Sequence, residues 1–341
     1  FVVVLENESY ETAFGRGSPA AYLARALPAQ GALLSNYYGI GHSSLDNYLA
    51  MISGQAPNVQ TQLDCPTFGE FQLTQPGLDA YGQALGSGCV YPRIVRTLPD
   101  QLESAGFTWK AYMEDMGNDP RRERATCAHD PIGAPDSTYA PQPGDQYAAK
   151  HDPFVYFHSI IDDQARCDAH VVNLARLPRD LAHATTTPNY AFIVPNLCND
   201  GHDARCADGR RGGLTAIDAF LATWVPRIQR SPAFRAAGML IVTFDESDMV
   251  GPDASTACCG ERPLTGAKVP PGLGGPGGGR IGAVVLSPFV KPGTASQMPY
   301  NHYSQLRTVE AIFGLPPLGY AAGLRVFGPD VFSAAAAHLA R

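Results

Sequence analysis

Three short apolar runs constrain this chain more than anything else in it. Residues 1–5 read Phe-Val-Val-Val-Leu, residues 239–244 read Met-Leu-Ile-Val-Thr-Phe, and residues 281–287 carry Ala-Val-Val-Leu before Ser287. None approaches the roughly 20 apolar residues that cross a bilayer. They are also too continuous for a sheet with one wet face, so they read as strands buried on both sides. Residues 190–194 and 107–112 read as strands and 36–40 as extended chain. Helical periods occupy 18–27 (ended by Pro28), 47–52, 96–105, 181–184, 214–229 with a kink at Pro226, and 302–313. A further element begins at 154–158. Strands that alternate with helices predict an α/β fold around a largely parallel sheet. No linker divides the chain, so residues 1–341 read as a single domain with long insertions.

The insertions show in the composition. Gly 35 and Pro 29 make up about a fifth of the 341 residues, and they crowd into 55–92, 117–144 and 250–279. Each of these stretches carries cysteine. The eight cysteines fall in near pairs, Cys65/Cys89, Cys127/Cys167, Cys198/Cys206 and Cys258/Cys259, with the pairing left open. No CxxC is present, so a structural zinc site is not indicated, and an oxidising compartment is. The chain opens inside an apolar run, which predicts an upstream segment removed in the mature protein. With 25 Lys+Arg against 32 Asp+Glu, the net charge is −7. That excludes the basic footprint of a nucleic-acid binder. Gly272–Gly277 fits a dinucleotide-binding pattern but leads into a strand, so it reads as loop. Asn7-Glu8-Ser9 fits a glycosylation pattern at the end of a buried strand and is discounted.

In open α/β sheets, ligands gather at the carboxyl ends of strands. Glu6-Asn7 follows the first run. Asp245-Glu246, with Asp248 close by, follows the run at 239–244. Either pair alone reads as a cap or a solvated loop. Two such pairs at strand ends read as a site for a hard divalent cation. The segment His42-Ser43-Ser44 opens a helix, where a serine is either an ordinary N-cap or, beside a metal, an activated nucleophile. Asn196–Asp203 and Asn301-His302 add histidines that could bind phosphate or protonate a leaving group. Lys150-His151-Asp152-Pro153-Phe154 reads equally as a phosphate contact or a structural turn.

In order, Glu6–Tyr10 (ENESY), 42–54 (HSSLDNYLAMISG), 194–203 (VPNLCNDGHD), 243–248 (TFDESD) and 301–316 (NHYSQLRTVEAIFGLP) resemble blocks of the bacterial phosphoesterase family. That family includes secreted acid phosphatases and phospholipases C of the phosphatidylcholine type, and the shorter acid phosphatases look most similar. The resemblance covers nearly the whole chain. It implies an alkaline-phosphatase-like α/β three-layer sandwich whose long loops bear disulfides. It implies Ser44 as nucleophile, with Ser43 in reserve, and His302 and His202 as active-site histidines. Asn47 would bind the phosphoryl oxygen, with His42, His151, Asn199 and Asp203 around it. Glu6, Asn7, Ser44, Asp245 and Glu246 would hold one divalent metal, Ca²⁺, Mg²⁺ or Mn²⁺ in preference to Zn²⁺. Ser43 and Asp46 stand where the family often has proline, so the turn before the helix is expected to be less rigid.

The expectation is a secreted, metal-dependent acid phosphatase that acts on phosphomonoesters through a phosphoserine, with phosphoinositides in view. The location is extracytoplasmic, with cell-wall association compatible. The substrate is a phosphate ester, extending to a phospholipid headgroup, and neither nucleic acid nor a transmembrane segment is implied. The alternative is a phosphodiesterase of phospholipase C type. Lesser alternatives are a non-catalytic secreted binding protein and sulfatase or phosphonatase chemistry.

Overall fold

The computed structural model describes residues 1–260 and 271–333. Part of the expected loop 250–279, residues 261–270, therefore lies outside the described residues. An eight-stranded sheet runs in the order Thr294–Ser296, Ala32–Leu34, Ala283–Leu286, Leu240–Phe244, Val2–Leu5, Tyr190–Val194, Trp109–Met113, Val171–Asn173. Every pairing is parallel except the two made by Ala283–Leu286, which runs against both neighbours. The largely parallel sheet read from the sequence is thus present with one reversed strand.

The apolar runs account for its centre. Val2–Leu5 lies between Tyr190–Val194 and Leu240–Phe244, in parallel register with both. Every residue of these three strands and of Ala283–Leu286 is buried. A sheet with both faces sealed is what near-continuous Val/Ile/Leu strands require. Each such side chain contributes roughly 1.5–3 kcal/mol on full burial. Helix Ser44–Ser53 packs against helix His302–Ile312, and Leu214–Arg230 packs against the turn at Tyr22–Ala26.

Several local expectations are corrected. Pro28 does not end its helix: the chain continues as Leu27–Gln30 after a widened turn at Tyr22–Ala26, where Leu27 N–H reaches back to Tyr22 O. The widened turn just before Pro28 makes room for its ring and for the missing N–H within a continuing helix. The short helix lies at Leu177–Asp180 rather than 181–184. The insertion 55–92 holds an antiparallel ribbon, Gln72–Leu78 with Ala84–Ser87, and helix Gln164–His170 and strand Val171–Asn173 carried no legible period. The disulfides join Cys65–Cys89, Cys127–Cys167, Cys198–Cys206 and the adjacent Cys258–Cys259. No described helix is long and apolar enough to cross a membrane.

Candidate active site

Parallel strands end on one edge, and the polar residues just beyond them meet there. Glu6 N–H donates to Asp200 O at 2.9 Å, and Asn7 N–H donates to Asp245 Oδ1 at 3.0 Å. Asn7 takes a left-handed conformation (φ 56°), which asparagine tolerates better than most residues. Three strand ends, those of Val2–Leu5, Tyr190–Val194 and Leu240–Phe244, are thereby tied together.

Ser44 is the first residue of helix Ser44–Ser53 and is buried. Its Oγ donates to Glu6 Oε2 at 2.8 Å. Ser43, immediately before it, holds φ 95°, a strained backbone for a residue with a side chain. Three bonds hold this strain. Ser43 N–H donates to Glu246 Oε2 at 3.0 Å, and Ser43 Oγ donates to Gln62 O at 2.8 Å. Asn47 Oδ1 accepts Ile40 N–H at 2.7 Å. The turn expected to be loose is therefore fastened from three sides, and Ser43 Oγ is committed away from Glu6.

Glu6 is fully buried and bonded by Ser44, by Tyr48 OH on Oε1 at 2.6 Å and by Asn7 Nδ2 on Oε2 at 3.1 Å. His151 Nε2 stands 3.4 Å from Glu6 Oε1, and His151 Nδ1 stands 3.2 Å from Asp200 Oδ2. His151 stacks on Tyr48, with ring centroids 5.2 Å apart. Donor atoms of Glu6, His151 and Asp200 all lie within 4.8 Å of one another. Burial, with Asp245 and Asp200 beside it, holds the Glu6 carboxyl well above the usual carboxylate range. Burial raises Asp200 and Asp245 as well. Burial, then Lys150 and His202, keeps His151 well below the ordinary imidazole value, so it is neutral and able to ligate. His151 Nε2, Asp200 Oδ2 and Asp245 Oδ2 are buried without a hydrogen-bond partner. Crowded buried carboxylates, a neutral imidazole and orphaned donor atoms fit a divalent cation.

Above this floor a cleft of about 730 Å³ opens, lined among others by Ser44, Asp64, Lys150, His202, Glu246 and Asp248. Lys150 Nζ donates to Asp64 Oδ2 at 3.1 Å and lies 3.3 Å from His202 Nε2. Burial works against the Lys150 charge, but Asp64 and Glu6 more than offset it and its pKa is raised. His202 Nδ1 is 2.9 Å from Asp203 Oδ1. His42 pairs through Nδ1 with Glu246 Oε2, and its Nε2 meets Ala254 O.

Several expected site residues are placed differently. Asn47 spends its amide on the turn: Oδ1 also accepts Gly41 N–H, and Nδ2 donates to Gly41 O and Ser43 O. It shapes the loop and leaves no free amide for a phosphoryl oxygen. His302 is fully buried, with Nε2 on Asp245 O at 2.6 Å and Nδ1 on Tyr37 OH at 3.1 Å. Burial lowers its pKa to about 4. Both ring nitrogens are engaged, so it positions Asp245 and does not reach the cleft. Asn199 donates to both oxygens of Glu114 and turns away. His151 lies in the buried cluster rather than on the cleft wall, and Glu246 faces His42 and Ser43. Lys150 belongs to the segment 150–154 that reads equally as a phosphate contact or a structural turn, whereas Asp200, Tyr48 and Asp64 have no role assigned from the sequence. Asp200 and Tyr48 lie inside family-like blocks, at 194–203 and 42–54, whereas Asp64 carries no signal beyond its neighbour Cys65.

A model of the Phosphoesterase family matches residues 17–316. A probable acid phosphatase of Kluyveromyces lactis is 27% identical over 94% of this chain, which spans 59% of that protein. A phosphatidylinositol-3-phosphatase of Mycobacterium tuberculosis is 27% identical over 94% of this chain and 78% of its own length. The chain spans less than two thirds of the first fungal relatives it matches. A solved alkaline phosphatase superfamily protein from Vibrio parahaemolyticus matches 95% of this chain and 68% of its own, with TM-score 0.51 at 12% identity. That likeness shows a shared fold.

Proposed function

We propose, from the premise that this chain belongs to the Phosphoesterase family, that it hydrolyses phosphomonoesters at Ser44 with one divalent cation bound. The observation that carries the reading is the Ser44 Oγ bond to Glu6 Oε2, 2.8 Å long, at the rim of the buried carboxylate cluster. Glu6, His151 and Asp200 would hold the cation, with Asp245 and Asn7 adjoining. When bound, it supplies positive charge against the phosphoryl oxygens and the developing alkoxide.

The chain's own residues do the rest. Glu6 Oε2 takes the Ser44 proton as Oγ attacks phosphorus in line. The Oγ–P bond forms and the ester P–O bond breaks. His202 carries a proton on Nε2 to the leaving oxygen, its other nitrogen anchored on Asp203. It is preferred to His302 because it lines the cleft. Water then attacks the phosphoserine, giving its proton to His202, and Glu6 returns the proton to Ser44. Fastening of the strained turn at Ser43 supports a fixed nucleophile, since phosphoryl transfer depends chiefly on positioning and charge. Four disulfides support a secreted protein. Similarity to the mycobacterial enzyme supports phosphoinositides among the substrates.

The test is hydrolysis of p-nitrophenyl phosphate and of phosphatidylcholine after chelation and repletion with Ca²⁺, Mg²⁺, Mn²⁺ or Zn²⁺. Ser44→Ala serves as the control. The reading expects metal-restored release from the monoester, none from the variant, and a trapped phosphoserine. Full activity of Ser44→Ala sinks it, and preference for phosphatidylcholine would make the enzyme a phosphodiesterase.

A further inference from the structure

The cleft presents a charge problem. Asp64, Glu246 and Asp248 line it, and Lys150 is the one Lys or Arg among the described lining residues. Among the described lining residues, an anionic ester entering this acidic mouth meets a single lysine or arginine.

Lys150 is held for contact. Its side chain is 9% exposed, so little rotamer freedom is left to lose on binding. An ammonium has three N–H groups. One donates to Asp64 Oδ2 at 3.1 Å; a second stands 3.3 Å from His202 Nε2 and is freed when that nitrogen carries the proton it delivers, so at least one is left for a ligand in the cleft. Asp64 fixes where that N–H stands. Its other oxygen accepts the N–H of Leu45, the residue after Ser44, at 3.0 Å. Asp64 itself sits next to the disulfide Cys65–Cys89. A single carboxylate thus ties Lys150 to the start of the nucleophile's helix.

We infer that Lys150 is a catalytic residue that receives a non-bridging oxygen of the phosphoryl group, with Asp64 as the positioning residue that sets it beside Ser44. This rests on the phosphomonoesterase reading above. Charge-assisted donors of this kind act most strongly where charge grows in the transition state. A Lys150 that served only to neutralise buried acids would affect stability and leave phosphate affinity unchanged.

The experiment compares the metal-loaded full chain with Lys150→Met and Lys150→Arg. It measures the Kd of inorganic phosphate by calorimetry, and kcat and KM for p-nitrophenyl phosphate. The inference expects Lys150→Met to bind phosphate at least about tenfold more weakly and to lose roughly 10²–10³ in kcat/KM, the range for one lost oxyanion donor. Lys150→Arg, which keeps the charge, recovers at least a tenfold part of that loss. A folded Lys150→Met that stays within threefold of wild type in both quantities overturns it. Should Lys150→Met not fold, the wild-type chain answers: inorganic phosphate must slow acetylation of Lys150, read by peptide mass, and unchanged labelling overturns the inference. Should the wild-type chain hydrolyse no monoester with any metal, the phosphomonoesterase reading fails. The phosphate-affinity comparison would still decide whether Lys150 binds the anion.

Discussion

The floor of the cleft and its mouth are built on opposite principles. The floor is Glu6, His151, Asp200 and Asp245, all buried and all at or near the ends of core elements. Its carboxyl groups are crowded, and some of their oxygens lack partners. The mouth is carried by insertions. Val59, Leu63, Met249 and Leu273 stand exposed around it, a rim of apolar side chains over an acidic interior. Burial explains the contrast. Charge inside a sealed sheet edge is costly unless compensated, so the floor is poised to take a cation. Exposed loop side chains carry no such penalty and are free to vary with substrate.

The sharpest way to break this contrast is Glu6→Gln. Removing the group that accepts the Ser44 proton should cost about 10²–10⁴ in kcat, the range for a general base. A loss under tenfold, measured with p-nitrophenyl phosphate, would mean the floor is not the reacting part. Next in size is metal linkage. Chelation should lower the melting temperature, since a cation at a hundredfold excess over its Kd contributes about 2.7 kcal/mol. A melting curve indifferent to chelator and to added Mn²⁺ would count against the cluster as a metal site.

Glu310 tests whether crowded burial is peculiar to the floor. It lies on His302–Ile312, with Oε1 accepting Leu318 N–H at 2.7 Å and Oε2 unpartnered. Burial raises its pKa from 4.5 to about 8. The folded state therefore holds a proton that the unfolded chain releases. Stability from this group is complete below pH ~4.5 and declines, by at most about 1.4 kcal/mol per pH unit, as pH rises toward ~8. Glu310→Gln should lack that slope in denaturant titrations across the same window, and an identical slope in both proteins would refute it. The smallest effect belongs to the mouth: Leu63→Ser should change stability by no more than about 0.5 kcal/mol and leave the metal-linked shift intact. A larger loss would show the rim to be part of the core.

Much of this was legible beforehand. Strands Tyr190–Val194 and Leu240–Phe244 follow from unbroken apolar runs, and helix Leu98–Ser104 from the helical period at 96–105, while the capping box of Thr97 and Asp100 that starts it shows only in the structure. Glu6 and Asp245 stand out because they directly follow core strands, whereas Ser44 stands out by opening a helix and by the resemblance of 42–54 to a family block. The ribbon in 55–92 was missed because Gln72–Leu78 is mostly exposed and shows no alternation of burial. His302 was read as an open acid because a histidine at a helix start looks the same in sequence whether it faces solvent or a backbone carbonyl. Asn47 reads as a ligand from its place in the block 42–54, and only the structure shows its amide used up by residues 40–43.

The sequence alone determined a largely parallel sheet and the polar residues that follow its central strands, because apolar period and the position of polar residues after a strand are local properties. Only the tertiary structure decided which atoms face one another. Glu6 meets Ser44 across 38 positions, and Lys150 meets Asp64 across 86 and His202 across 52. Those encounters are set by how strands and loops pack together, so no local pattern in the chain encodes them.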